Sequence, residues 1–386
     1  MHVMLVGEHP EPGQPPRGGV QRVISSLRRA LSSQVRVTLV APFASQDATY
    51  TDDAGDMVFL SKPRWPGSIS YWNVTARRIG QHVQRLKPDV VHVQDAAGLA
   101  LGWPRTVRHV PVVFTAHGVL DKEIRNCSKD FVRRMTAIGR ARLVQEVEQA
   151  GRRRSSEIIV INDYVTEEMS DIASRSHHKI PNPVERAFLT GEPSPKTDNH
   201  EFRILQIGVI RPLKNTLAAI DLIAALNTLG HPARLILIGP ASDENYLAQC
   251  RVRTSQLGLN DKIDFLGEMQ PPELVQQLSR ADLLLLTSLQ ETAPMVAAEA
   301  LCRGVPVAAP RAFGLKYMVD DLRNGVLFDG ADAQENARKI ADFLSHAIDH
   351  AAIYKNARAL YDITEIAAKT IEVYRRAMTG RVQATI

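Results

Sequence analysis

The chain has 386 residues, 44% hydrophobic and 23% charged, with a net charge of +5. That length accommodates two ordinary domains, and that balance excludes a disordered or low-complexity protein. The charge is too modest for the length to imply nucleic acid. No apolar run approaches the roughly 20 residues of a membrane-spanning helix. Three scattered cysteines, Cys127, Cys250 and Cys302, exclude a cysteine-built zinc site.

The N-terminus enters an apolar run at once, without a basic leader, so no signal peptide is expected. Unpaired cysteines fit a reducing compartment, and the cytoplasm is the expected location. HVMLVG (2–7) is the first of five short runs rich in Val and Ile. The others are VRVTLVAP (35–42), DVVHVQ (89–94), VPVVFTAH (110–117) and EIIVIN (157–162). Helical patterns near 20–32, 72–87, 130–150 and 164–174 separate them, which predicts a parallel sheet covered on both faces.

Several polar features of this half stand at strand ends. Gly18 and Gly19 lie just before the first helix, where bare backbone N–H groups can approach a sugar or phosphate, or merely permit a turn. The long Pro-rich loop before them lacks the G-x-G-x-x-G of nicotinamide enzymes. His117 closes the fourth strand and is either structural or a donor to a substrate hydroxyl or phosphate. Asp52, Asp53 and Asp56 sit in a loop-like segment, not as a D-x-D at a strand end, so no metal is expected. Residues 122–154 hold Lys122, Arg125, Lys129, Arg133, Arg134, Arg140, Arg142 and Arg152 to Arg154, interleaved with apolar residues at helical spacing. This is a solvated helix face or a surface for anionic lipid or an anionic acceptor.

Residues 183–202 are rich in Pro, Gly, Ser, Thr, Asp and Asn, a linker composition. The predicted division is therefore 1–185, a linker over 186–201, a second domain over 202–362, and a terminal segment 363–386. After the linker the alternation restarts with FRILQIG (202–208), ARLILIG (233–239), KIDFLG (262–267), DLLLLTS (282–288), VPVAAP (305–310) and GVLFD (325–329). Helices are predicted near 214–229, 243–257, 271–279, 294–303 and 332–347, then 350–361 and 363–379 with no strand between. The fold class is α/β, two doubly wound parallel-sheet (Rossmann-like) domains facing a cleft at their strand ends.

Arg211 and Lys214 in GVIRPLKN precede a helix whose macrodipole they oppose. Solvent tolerates such a pair; a bound diphosphate would offset both charges. In TSLQETAPMVAAEALCRGVPVAAP (287–310), Glu291 follows a strand and Glu299 is the only charge between Pro294 and Cys302. Glu299 either points at solvent or serves a ligand, since an unpaired buried charge is heavily disfavoured. The helix opening at Pro294 aims its free N–H groups where a diphosphate would lie. A carboxylate one and a half turns in can accept two hydrogen bonds from a ribose diol.

These residues resemble the retaining glycosyltransferases of the GT-B fold, the large bacterial mannosyl/glucosyl/N-acetylglucosaminyl transferase family known as glycosyl transferases group 1. The resemblance spans nearly the whole chain and is strongest in GVIRPLKN, LILIGPASDENY, DFLG, the 282–310 segment and RNGVLF. In the first half it is carried by the Gly18-Gly19 loop, TAHG and IPNPVE. It implies that Arg211 and Lys214 neutralise the donor diphosphate, that Glu291 lies near the donor sugar, and that Glu299 holds the ribose. It further implies that His117 is near the sugar, that Gly18, Gly19, Gly208, Gly239, Pro294, Met295 and Val296 contact the donor, and that the last helix crosses back to the first domain. The implied activity is hexosyl transfer with retention from a nucleotide-diphosphate sugar to an acceptor hydroxyl, without cofactor or metal. The implied acceptor is a saccharide or lipid-linked saccharide of cell-surface polysaccharide or lipopolysaccharide synthesis, met at the membrane's inner face through 122–154. Departures from the family pattern are Ala293, Pro183, Asn162 and the Lys316-Tyr317 pair. A nucleotide-sugar 2-epimerase on the same fold, or a non-catalytic nucleotide-sugar-binding protein, are the alternative readings.

Overall fold

The computed structural model describes residues 1–16, 18–63, 74–118, 131–191 and 201–380, with backbone alone for 131–141 and 143. The chain divides into two compact units, Met1–Pro183 with Ile363–Ile386, and Val184–Asp362.

The first unit is built on an eight-stranded sheet: β1 (His2–Val6), β2 (Arg36–Ala44), β3 (Ala48–Asp52), β4 (Gly55–Ser61), β5 (Val90–Gln94), β6 (Val112–Ala116), β7 (Glu157–Val160) and β8 (His178–Lys179). The order is β3-β4-β2-β1-β5-β6-β7-β8, parallel throughout except for the β3–β4 pair. The inner strands β1, β5 and β6 are buried almost end to end, as continuous Val-rich runs require. The helices are α1 (Gly19–Ser32), α2 (Ala76–Leu86), α3 (Phe131–Arg154), α4 (Asp163–Glu168) and α5 (Ser170–Ala173).

The β3–β4 hairpin replaces the loop expected around Asp52, Asp53 and Asp56. β3 escapes a hydrophobic-pattern reading because four of its five residues are exposed. Besides its antiparallel ladder with β4 it is tied down by Arg28 of α1, a buried cation that donates to both Asp52 carboxylate oxygens (2.9 and 2.5 Å) and to the Gly55 carbonyl (2.7 Å). This pairing also holds the Asp52 carboxyl below its ordinary pKa.

The second unit carries β9 (Phe202–Ile207), β10 (Ala233–Ile238), β11 (Ile263–Gly267), β12 (Leu283–Leu285), β13 (Val307–Pro310) and β14 (Gly325–Phe328). Their order is β11-β10-β9-β12-β13-β14, all parallel. The order reverses between β9 and β12, so the loops after these two strands flank the crevice at the topological switch point. Its helices are α6 (Arg186–Leu189), α7 (Thr216–Thr228), α8 (Glu244–Gln256), α9 (Pro271–Ser279), α10 (Met295–Leu301), α11 (Ala333–Ser345) and α12 (His350–Tyr361). Asp243, Asp332 and Asp349 cap α8, α11 and α12 through their side chains, each cap contributing about 1 kcal/mol.

The second unit begins at Val184, ahead of the predicted linker over 186–201. Phe188 and Leu189 of α6 are buried, Val184 N–H donates to the Tyr361 carbonyl (3.1 Å), and Arg303 donates to the Thr190 carbonyl (2.5 Å). Two apolar anchors and a buried Arg therefore bind 184–191 to the second unit; residues 192–200 of the linker lie outside the described residues. The final helix, α13 (Ile363–Thr379), belongs to the first unit. Ile366, Ala367, Ile371, Val373, Tyr374 and Ala377 join that unit's core, and a fully buried Ile or Val contributes about 1.5–3 kcal/mol. Among the described residues no helix is long and apolar enough to cross a membrane.

Candidate functional site

At the strand ends of the second unit, Gly208 follows β9 and Gly239 follows β10, both with φ in the glycine region, +147° and +140°. A Cβ on Gly239 would lie 2.1 Å from the Gly208 carbonyl oxygen, so close backbone approach already demands glycine there. Beyond Gly208 the chain makes one tight turn over Pro212–Lys214, with Lys214 N–H donating to the Arg211 carbonyl (2.9 Å). Asn215 in left-handed conformation (φ +51°) then delivers the chain into α7.

This turn sets the two cations differently. Arg211 is exposed and has no ion-pair partner among the described residues. The Lys214 stem lies over Gly208, where a Cβ would meet its Cε at 3.5 Å. Its ammonium group pairs with Glu291 Oε1, and the two side chains are only 21% and 12% exposed. The fold thus brings together two of the sequence-predicted residues, 77 positions apart.

Two residues that the sequence reading passed over hold this geometry. Gln206, a buried amide on the central strand, donates to the Thr287 hydroxyl (2.9 Å). That hydroxyl lies within donating distance of the Lys214 (3.0 Å) and Asn215 (2.9 Å) carbonyls. Leu289 N–H donates to the Leu213 carbonyl (2.9 Å), and Gly314 N–H to the Glu291 carbonyl (2.9 Å). The basic turn and the acidic loop are therefore stitched together by backbone as well as charge. The lone polar residue in ILQIG was the available signal.

Glu291 leads to Pro294, extended at φ −64° and ψ 122°, and α10 starts at Met295. The first N–H groups of the helix, at Met295 and Val296, have no intrahelical acceptor. Glu299 is 3% exposed, among the buried Ala297, Ala298, Ala300 and Leu301. It does not point at solvent. Burial first, and the Glu299 charge second, push the Cys302 thiol up to about 12, so that cysteine is inert as a nucleophile at neutral pH. A cavity of about 700 Å³ in this unit, lined by Leu301, Met318, Phe343, Ile353 and Tyr361 among others, includes none of the candidate residues.

In the first unit, His117 follows β6 and is 7% exposed. Its Nε2 lies 2.5 Å from Gln94 Oε1; an amide oxygen only accepts, so this ring nitrogen carries the proton. Burial lowers the His117 pKa against the raising influences of Asp95 and Asn182, and the ring is neutral. With its N–H engaged by Gln94, the other nitrogen is an acceptor. Gly18 has extended backbone (φ 174°) and open space where a Cβ would lie, so neither strain nor packing calls for glycine. Gly19 opens α1.

Of the basic segment, side chains are described only at Arg142 and from Val144 onward. Residues 122–130 lie outside the described residues. At its far end Arg142 and Arg153 are exposed, whereas Arg152 is buried and ion-paired with Asp171 (2.7 Å). Arg154 stacks 5.3 Å over the Trp103 ring. Asn162 has a structural role, accepting from Val165 N–H (3.4 Å) to cap α4. The same unit buries Glu148 of α3, which accepts from Ala97 and Gly98 N–H groups (2.7 and 3.2 Å). Desolvation raises its pKa to about 8.

Two parallel-sheet α/β units with their polar residues at the strand ends define the GT-B fold. The family model for glycosyltransferase family 4 matches residues 17–188, and that for glycosyl transferases group 1 matches residues 192–360. The chain is 25% identical over 356 residues to a D-inositol 3-phosphate glycosyltransferase of Jonesia denitrificans, covering 82% of this chain and 80% of that one. Its fold matches the apo lipopolysaccharide outer core galactosyltransferase WaaB at a TM-score of 0.72 and 19% identity, covering 99% and 100% of the two chains. It also matches Anabaena HepE in complex with UDP and glucose, at a TM-score of 0.68 and 18% identity over 96% and 98%. The chain is a glycosyltransferase of the GT-B fold, with a family 4 module followed by a group 1 module.

Proposed function

We propose that this enzyme transfers a hexosyl group from a nucleotide-diphosphate sugar to an acceptor hydroxyl with retention at the anomeric carbon. The observation that carries the reading is the Lys214 ammonium held against Glu291 over Gly208, beside the exposed Arg211. The sugar C1–O bond to the diphosphate breaks as the acceptor oxygen bonds to C1. Negative charge then grows on the departing diphosphate, where Arg211, Lys214 and the N–H groups of Met295 and Val296 are preorganised to receive it. The acceptor proton passes to an oxygen of the leaving phosphate, so no side-chain base is required. Glu291 fixes the Lys214 ammonium and lies on the sugar side. Glu299 accepts from the ribose diol, and its burial strengthens those bonds. His117 accepts from a substrate hydroxyl, and the open space over Gly18 leaves room for a phosphate at the Gly18-Gly19 turn.

We place the acceptor among saccharides, free or lipid-linked, of cell-surface polysaccharide or lipopolysaccharide synthesis. The match to relatives named for D-inositol 3-phosphate favours an acceptor that itself bears a phosphate. Exposed basic residues of the 122–154 segment, such as Arg142 and Arg153, are in keeping with such an anion or with an anionic membrane surface. A thermal-shift panel over UDP-, GDP-, ADP- and dTDP-sugars tests the donor, and anomeric proton couplings of the product test retention. Glu299→Ala weakens binding of the free nucleotide selected by the panel; equal affinities by calorimetry would show that Glu299 does not hold the ribose.

A further inference from the structure

The first unit's sheet core is Val- and Ile-rich, yet a connected set of polar side chains runs through it. His92 and Gln94 alternate on β5, as do Thr115 and His117 at the end of β6, and Gln94 is paired in register with Thr115. The period of two along a strand puts all four on one face. Tyr374 of α13 reaches this face from 282 positions away, placing its Oη 2.7 Å from His92 Nδ1. Thr115 Oγ1 lies 2.7 Å from the other His92 nitrogen. The Gln94 amide nitrogen sits on the same imidazole, 3.1 and 3.3 Å from its two nitrogens, and the amide oxygen faces His117 Nε2. None of the five side chains is more than 7% exposed.

The directions of these bonds follow from the groups. His92 is neutral, its pKa lowered to about 3 mainly by burial, so it offers one donor and one acceptor to the two hydroxyls. The Gln94 NH₂ stands 3.1 and 3.3 Å from the two His92 nitrogens that the hydroxyls occupy, and its carbonyl oxygen faces His117 Nε2. The end of β5 is itself fixed: Asp95 adopts φ +68° with its N–H donating to the Thr115 carbonyl (2.9 Å). Glu148 then takes the next free N–H groups, at Ala97 and Gly98.

We propose that Gln94 is a positioning residue for His117, fixing its neutral Nε2–H tautomer so that Nδ1 accepts from a substrate hydroxyl, with Tyr374 and Thr115 holding Gln94 through His92. The proposal rests on the reading of His117 as a hydroxyl-binding group. A buried polar chain of this kind is costly unless fully satisfied, and in this one His117 Nδ1 is buried without a hydrogen-bond partner, which leaves an acceptor for a substrate hydroxyl to fill. The C-terminal helix thereby acts on the site through one phenol rather than through its apolar face alone.

The test is long-range ¹H–¹⁵N spectroscopy of the full chain labelled at histidine nitrogen, paired with transfer kinetics using the sugar nucleotide the thermal-shift panel selects. The wild-type His117 signal is expected to be that of the Nε2–H tautomer. Gln94→Leu is expected to give a tautomer mixture and lower kcat about 10²-fold, the scale of a misplaced contact, with nucleotide affinity unchanged. Gln94→Glu sets a carboxylate against Nε2 and is expected to convert the ring to its doubly protonated form, with kcat again reduced. Tyr374→Phe removes one support and is expected to give a smaller tautomer drift. An Nδ1–H ring in the wild type overturns the proposal, as does an unchanged tautomer and kcat in Gln94→Leu. If Gln94→Leu fails to fold, the wild-type and Gln94→Glu spectra still decide the matter. A His117→Ala enzyme as fast as wild type sinks the role assigned to His117 instead, whatever the tautomer.

Discussion

Lys214→Met is the sharpest perturbation of the donor site, because it removes the charge and keeps the stem that lies over Gly208. Deleting one preorganised donor to a departing anion lowers kcat by about 10²–10³, or roughly 2.7–4 kcal/mol of transition-state stabilisation. A separate loss of stability follows from Glu291, which is 12% exposed and left without its ammonium partner. Breaking an exposed pair costs about 0–1 kcal/mol and breaking a buried one about 3–5 kcal/mol. This half-buried pair falls between them, at about 1–3 kcal/mol, or roughly 2–12 °C in Tm at about 2–4 °C per kcal/mol for a unit of this size. Adding Glu291→Gln removes the stranded carboxylate, so the double variant recovers most of the stability. It does not recover turnover. The assay is therefore a double-mutant cycle read twice, by thermal melting and by kcat from nucleotide release. Turnover that recovers along with stability would reduce Lys214 to a counterion for Glu291, and an unchanged kcat in Lys214→Met would remove it from the chemistry altogether.

Glu148 makes a prediction in pH. Its folded pKa is raised to about 8 by desolvation, above an unfolded value near 4.5. The folded chain therefore holds an extra proton between these limits, and its stabilising contribution, complete below about pH 4.5, is lost as pH rises toward 8. Glu148→Gln is expected to flatten the pH dependence of urea-unfolding midpoints over pH 5–8 relative to wild type; parallel curves would show that Glu148 is ionised throughout. Gly239→Ala must fit a Cβ 2.1 Å from the Gly208 carbonyl at φ +140°. It is expected to destabilise the second unit by about 3 kcal/mol or more, and a variant within about 0.5 kcal/mol of wild type would mean that the two strand ends part easily.

What could be read from the sequence was what short-range pattern encodes. Strands such as HVMLVG and ARLILIG are buried on both faces, so apolar side chains fill them almost without interruption, and the alternation with helices follows from packing both faces of a parallel sheet. β3 lacked that signature because it is an exposed edge strand, held by a buried arginine from another element. The start of the second unit was misplaced for a related reason. Pro, Gly and Ser dominate the composition of 183–202, while two apolar residues, Phe188 and Leu189, decide where 184–191 packs.

The candidate site shows the same division more clearly. Glu291, Glu299, Arg211 and Lys214 were legible because a charge at a strand end or in an apolar helix is locally anomalous. The residues that support them were not: Gln206 and Thr287 are 81 positions apart, and Tyr374 and His92 are 282 apart. Each is an ordinary polar residue until tertiary structure supplies its partner. Buried polar groups must be paired, so a lone Gln in ILQIG and the His and Gln of VVHVQ already required partners. Nothing in the sequence said which. His117 is the instructive case, since its strand-end position was legible but the direction of its hydrogen bond was not. Gln94 Oε1 stands 2.5 Å from its Nε2, a partner 23 positions away that only the pairing of neighbouring strands brings to it.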